Sequence, residues 1–355
     1  MKHKLFVFLQ RVDKAVFSVM SRHPFGLLLY YRLFSTAFNT EMQEVGTGRR
    51  LYSAAGAGSQ NEFLLRRNIH RIEKGLSMRP RRATFALEYI EETAKSYATV
   101  AHSIQSGADR DLRGARWAQD VLSEYFRVVD SAPAAVRARD VFLSSPPVVV
   151  PQDDVVERVG RPEALAAPYA RRIPDQSPVE YVDLLALARQ RRSVRWFQDR
   201  SVPRELVDQA IEVAALSPSA CNRQPFTFRI FDDPEMVRQV SVQPGGARGF
   251  ADNVPMMVVV VGSLRAYFSE RDRHVIYIDG SLASMSFLFA CESLGLATCC
   301  INWPDIHTQN ARLSKLIGLE PDQRAVMFIA VGYPDPSALV PYSGKKSIDN
   351  LRRYN

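Results

Sequence analysis

Residues 191–197 read Arg-Arg-Ser-Val-Arg-Trp-Phe, and residues 217–226 read Ser-Pro-Ser-Ala-Cys-Asn-Arg-Gln-Pro-Phe. The first stretch gathers the guanidiniums of Arg191, Arg192 and Arg195 around the hydroxyl of Ser193. Guanidinium forks match phosphate oxygens two at a time and a serine adds a neutral donor, so the pattern suits a phosphate-bearing ligand. The second stretch is a polar loop between a helix and a strand, where ligand-contacting side chains collect. Each has a bland reading as well: most charge runs are solvated clusters, and Asn222 alone is more often a turn residue than a ligand.

Working outward, the sequence after Val179 alternates helix and strand signals. Pro203 stands at a first helical position, followed by Leu206, Val207, Ala210, Ile211 and Ala214 on one face. Phe226–Phe231 reads as a strand, and Pro255–Val261 as one apolar enough to be buried on both sides. Asp279–Leu294 reads as an apolar helix that Gly295 stops. Strands over Ala297–Ile301 and Ala325–Val331 flank a helix near Thr308–Ile317. No internal repeat is present.

Four segments in this order, namely 191–197, 217–226, the helix and strand ending Leu-Gly-Leu-Ala-Thr-Cys-Cys-Ile-Asn at 294–302, and Ala-Val-Gly-Tyr-Pro at 330–334, together resemble the nitroreductase family. The resemblance implies an α+β fold, a mixed but largely antiparallel sheet flanked by helices, in a homodimer with FMN at the interface. By position, Arg191, Arg192 and Ser193 match contacts to the phosphate and ribityl chain, and Arg195 matches the cation beside the flavin N1 and O2 edge. Pro218, Ser219 and Asn222 match a loop reaching the flavin from the other subunit. Cys300, Ile301 and Asn302 match the strand end whose backbone faces N5, and Lys345 matches a late basic residue that closes on the phosphate. Two positions depart from the pattern: Asn302 stands where the family often has an acid, and Ser347 where it has a base. The implied activity is hydride transfer from NAD(P)H through FMN to an acceptor, with no catalytic side chain, because the isoalloxazine carries the chemistry. The alternatives are a flavin site specialised for one substrate, or a degenerate flavin-binding scaffold. Asn68–Met78 (NIHRIEKGLSM) resembles extensions of nitroreductase-like proteins associated with bacterial cell-surface polysaccharide assembly.

The chain has 355 residues, 46% hydrophobic and 24% charged. That length suits two domains. A mainly helical region is expected over 1–130, a proline-rich linker or strap over 131–178, and the flavin domain over 179–355. No apolar run long enough to span a bilayer is expected. Residues 1–48 read as amphipathic helix, with Leu5, Phe6, Leu9, Val12, Val16 and Phe17 among cations. Packing on the rest of the protein is the preferred reading there, and peripheral contact with a membrane surface the alternative. Gly46–Asn61 reads as a flexible connection. The formal charge of +8 is densest at Arg66, Arg67, His70, Arg71, Lys74, Arg79, Arg81 and Arg82. Without interleaved aromatics or a recognised module, that cluster does not indicate nucleic acid. His70 shares a helical face with Lys74, and a catalytic role for it is disfavoured.

Cys221, Cys291, Cys299 and Cys300 form no CxxC, so neither a disulfide framework nor a metal site is expected, and a reducing cytoplasm is the default location. Cys221 and the Cys299–Cys300 pair are read as structural. Gly56 and Gly58 do not make a dinucleotide fingerprint.

Overall fold

The segment Met-Met-Val-Val-Val-Val-Gly-Ser is too rich in β-branched residues to favour helix, and it has no polar alternation that would leave one face to water. In the computed structural model it forms β2 (Met256–Ser263), an inner strand buried along nearly its whole length. The structure describes residues 2–55, 61–108, 111–149, 165–169 and 177–355, with the side chains of 2–7 and Gln10 left aside. Most of the proline-rich stretch, including Pro151, Pro162 and Pro174, lies outside these residues, as do Gly56 and Gly58.

Beside β2 stand β1 (Phe226–Phe231), β3 (Ala297–Asn302) and β4 (Gln323–Gly332), in the order β1-β2-β4-β3. All three ladders are antiparallel. The parallel element is a single bridge between Ser193 and Thr298. One face of the sheet packs on α9 (Arg204–Ala215) and α11 (Val275–Ser293) through Ala210, Ala214, Ala283 and Phe287. The other packs on α10 (Pro234–Ser241) and α12 (His307–Ile317) through Val237, Val240, Leu313 and Ile317. The result is an α+β layering with the expected character.

Several boundaries differ from the sequence reading. Pro203 is the cap of α9, with Arg204 the first helical residue. Helix α11 starts at Val275, and Gly295 follows its end with φ +76°, a conformation glycine adopts without a Cβ penalty. Glu270–Ser293 is long and apolar enough to cross a bilayer, contrary to expectation; here Ile276, Phe287 and Cys291 are buried in the sheet domain.

The N-terminal region is helical as read: α1 (Lys2–Met20), α2 (Pro24–Leu33), α3 (Asn39–Ala54), α4 (Glu62–Leu76), α5 (Ile90–Gln105), α6 (Leu112–Val128) and α7 (Pro133–Leu143). A core of Leu65, Ile69, Ile72, Tyr97, Val121, Leu122 and Tyr125 joins α4 to α6. Helix α7 occupies the start of the stretch read as linker and buries Ala138 in the same core. Beyond it the described chain straps over α6, where Val148 N–H donates to Gln119 Oε1 at 2.7 Å and Ala166 N–H to Asp120 Oδ2 at 2.9 Å.

Gly46–Ala54 is helix, not flexible connection, because α3 docks on the sheet domain there. A Cβ on Gly48 would lie 2.7 Å from the Leu264 carbonyl carbon. Gly48→Ala should therefore cost about 1–3 kcal/mol in a urea melt, since backbone has to move. One turn earlier, Glu44 and Asp305 flank the buried Arg324, and Thr40 Oγ1 meets His307 Nδ1 at 2.7 Å. Burial pushes the Glu44 carboxyl up from 4.5 to about 7, with Asp305 and Glu41 adding to the rise and Arg324 opposing it. A carboxyl that holds its proton more tightly folded than unfolded stabilises the native state at low pH, and that contribution is lost as the pH rises from about 4.5 through about 7. Glu44→Gln should flatten the fall in melting temperature across this window.

Candidate functional site

Helix α8 (Tyr181–Gln190) ends where Arg191 turns extended, with ψ 122°. The chain from there to Gln198 is stitched between two strands. Val194 N–H donates to the Thr298 carbonyl at 3.0 Å, and Gln198 N–H to the Tyr333 carbonyl at 2.9 Å. Asn253 grips the backbone of Phe197 on both sides, accepting from its N–H at 2.6 Å and donating to its carbonyl at 3.1 Å. Phe197 lies so close to β4 that a Cβ on Gly332 would sit 2.7 Å from its ring. Val194 and Phe197 go into the core, which leaves Arg191, Arg192, Ser193 and Arg195 half-buried at the surface. Three of the four sequence motifs thus meet: the arginine segment, β3 and the turn after β4.

The charges there are uncommitted. Among the described residues, no carboxylate lies within ion-pair reach of Arg191, Arg192 or Arg195. Arg195 donates to the Ser193 carbonyl at 3.3 Å and rests 5.9 Å from the centre of the Phe250 ring. Like charges held together without counter-charge repel, and a phosphate dianion relieves that repulsion while accepting from several forks at once. The donor set therefore fits a phosphate-bearing cofactor. Burial raises the Cys299 thiol, outweighing the lowering by Arg195 and Arg191. Cys299 is buried and Cys300 is exposed.

The Pro218–Asn222 loop is built at another place. Its turn Ala220–Asn222 has positive φ at Cys221 (54°) and Asn222 (51°), followed by Gln224 (51°). Such angles are uncommon without glycine and persist where surroundings over-determine them. The surroundings are specific. Asp279, on the first turns of α11, accepts from Ala220 N–H at 3.0 Å. Ser219 Oγ accepts from Gln224 N–H at 3.0 Å, and Ser217 Oγ meets Ser286 Oγ at 2.7 Å. From the N-terminal region, Arg66 Nε donates to the Asn222 carbonyl at 3.0 Å, while its guanidinium lies over Trp117 and meets Asp111.

Within one chain no described hydrogen bond or ion pair joins the loop to the arginines. The loop is tied to α11 at Asp279, and the arginine segment to Thr298, beyond the other end of that helix. About 20 Å of helix separates Asp279 from Ser293. Ile301 is buried in β3 and Asn302 is exposed at its end. Lys345, Lys346 and Ser347 lie on an exposed tail that ends in the short helix α13 (Ile348–Leu351). No described hydrogen bond or ion pair brings Lys345 to the arginines.

From the sequence, Arg66 stood out only as one of a basic cluster and Asp279 only as a helix boundary, and Asn253 not at all. Asp279 carried a signal, being an acid in the first turns of a largely apolar helix; Asn253 carried none. The basic cluster of 66–82 divides: Arg67 lies over Phe268, Arg71 over Tyr89, and His70 stands 3.6 Å from Glu73, whereas Lys74, Arg79, Arg81 and Arg82 are exposed.

The nitroreductase family model matches residues 188–244 and 233–333. A putative NADH dehydrogenase/NAD(P)H nitroreductase of Methanothermobacter thermautotrophicus is 31% identical over 160 residues, covering 44% of this chain and 80% of that protein. Human iodotyrosine deiodinase 1 is 24% identical over 200 residues, covering 48% of this chain and 67% of that protein. Among solved structures, an FMN-dependent nitroreductase from Clostridium difficile R20291 aligns with a TM-score of 0.42 at 21% identity, covering 48% of this chain and 99% of that one.

Proposed function

Because the chain belongs to the nitroreductase family, we propose that residues 179–355 bind FMN and pass electrons from NAD(P)H to a small-molecule acceptor, in a cytoplasmic homodimer. The observation that carries this reading is the set of three half-buried arginines without counter-charge, held on extended backbone beside β3. Bound FMN would supply the hydride chemistry. Arg191, Arg192 and Ser193 hold its phosphate end, and Arg195 places fixed positive charge where negative charge develops on the ring. The backbone of Cys300–Asn302 orients the ring without projecting a side chain across its face. Pro218, Ser219 and Asn222 act on the site of a second chain, which their anchorage at the far end of α11 supports. Lys345 reaches the phosphate from the exposed tail.

Purified protein is expected to absorb as a flavoprotein or to take up added FMN, and to bleach with NADH or NADPH under nitrogen. A colourless chain that leaves added FMN fluorescence unquenched sinks the proposal.

A narrower reading is favoured by Arg66, which ties the N-terminal region to the flavin loop: that region restricts the acceptor. The similarity to iodotyrosine deiodinase 1 makes an iodinated tyrosine the first acceptor to try. Rapid turnover of generic nitroaromatics and quinones, with none of iodotyrosine, would reject the restricted site.

A further inference from the structure

Helices α1 and α2 hold each other and leave much apolar surface uncovered. Tyr30 O–H donates to Asp13, and the Phe17 ring packs edge-on against Tyr30 at 5.1 Å. Asp13 is the one acid before Glu41, so cations outnumber acids on the hairpin. On α1, Phe8, Val12 and Val19 are exposed and share one flank at helical spacing, and Arg11 and Lys14 occupy the next. On α2, Phe25, Leu28 and Arg32 lie along one exposed strip. Leu28 is 69% exposed and Phe8 61%. The expected packing on the rest of the protein covers only part of these helices.

We propose that this hairpin docks in the plane of an anionic membrane surface. Three observations choose this occupant. A contiguous apolar patch on a folded chain marks an interaction site. The cations interleaved with it, Arg11, Lys14, Arg22 and Arg32, are exposed and have no carboxylate within ion-pair reach among the described residues, so a negatively charged surface complements them. A symmetric second copy would bring the same cations face to face, whereas acidic headgroups over acyl chains meet both the charge and the apolar flank. Spanning is disfavoured because Arg11, Asp13 and Lys14 sit mid-helix in α1, where ionised side chains are costly. An in-plane helix keeps them at the headgroups. This inference stands independently of the flavin chemistry.

The test is flotation of the full chain with vesicles of phosphatidylcholine, with and without phosphatidylglycerol, at low and physiological salt. Binding is expected only to the anionic vesicles and to weaken with salt. Arg11→Glu/Lys14→Glu should reduce partitioning at least about 30-fold, and Phe8→Ser/Phe25→Ser/Leu28→Ser should abolish it. All these side chains are exposed, so circular dichroism should match the parent chain. Three results overturn the proposal: no anionic preference, no response to charge reversal, or a hairpin-dependent dimer in ultracentrifugation that the serine variant dissociates while vesicle binding is absent.

Discussion

Exchanging Arg191 and Arg192 together for glutamine is expected to weaken FMN binding by about 10²- to 10⁴-fold, from two lost charge-assisted contacts of roughly 1.5–3 kcal/mol each. The same exchange should leave the melting temperature of the flavin-free protein unchanged or slightly raised. The two expectations have one cause. These guanidiniums have no carboxylate partner among the described residues, so removing them relieves repulsion and breaks no ion pair there. Fluorescence titration with FMN and calorimetry of the flavin-free protein together decide the matter. A structural role predicts the reverse, a lower melting temperature with FMN affinity held. Arg191→Lys and Arg192→Lys refine it: an ammonium keeps the charge and loses the fork, so each should fall between the parent and the double variant.

That prediction was available in outline from residues 191–197, because arginine density and a serine state a chemistry without needing a fold. The strands were legible for a related reason. Met256–Ser263 has one physically cheap fate, and Gly295, after the last turn of an apolar helix, takes the positive φ that ends it. What sequence could not supply was proximity. Nothing local in Asn253 says that its amide clamps Phe197, and nothing in Arg66 distinguishes it from its basic neighbours until α4 is laid against the loop. Gly48 misled in an instructive way: a glycine pair near Thr47 reads as flexibility by composition, yet Gly48 is there because Leu264 lies against it. Close approach and looseness leave the same letter in the sequence.

Asp279 supports the strongest stability prediction. It is 3% exposed and accepts from Ala220 N–H at 3.0 Å and from Tyr267 O–H at 3.5 Å. Beside it lies Arg223, 4% exposed, stacked on Tyr267 at 5.2 Å, with its Nε unpartnered. Burial raises the Asp279 carboxyl, and the Ala220 N–H, the Tyr267 hydroxyl and the Arg223 charge pull it back. Asp279→Ala takes the acceptor from the part-buried Ala220 N–H and removes a negative charge that acts on the buried Arg223 guanidinium, at a cost of about 1–3 kcal/mol. Asp279→Asn keeps an acceptor for Ala220 and should cost less. If the uncompensated cation is the cause, Asp279→Leu combined with Arg223→Met should recover most of the loss, since a dry apolar pair avoids both desolvation penalties. The recovered protein separates stability from function. Its loop has lost the Asp279 contact that holds Cys221 and Asn222 at positive φ, so FMN affinity should stay low while the urea midpoint returns toward the parent value. Full recovery of both would mean that Arg66 and the Ser217 and Ser219 contacts suffice to hold the loop, and Arg66→Ala in the same background would then test the first of these.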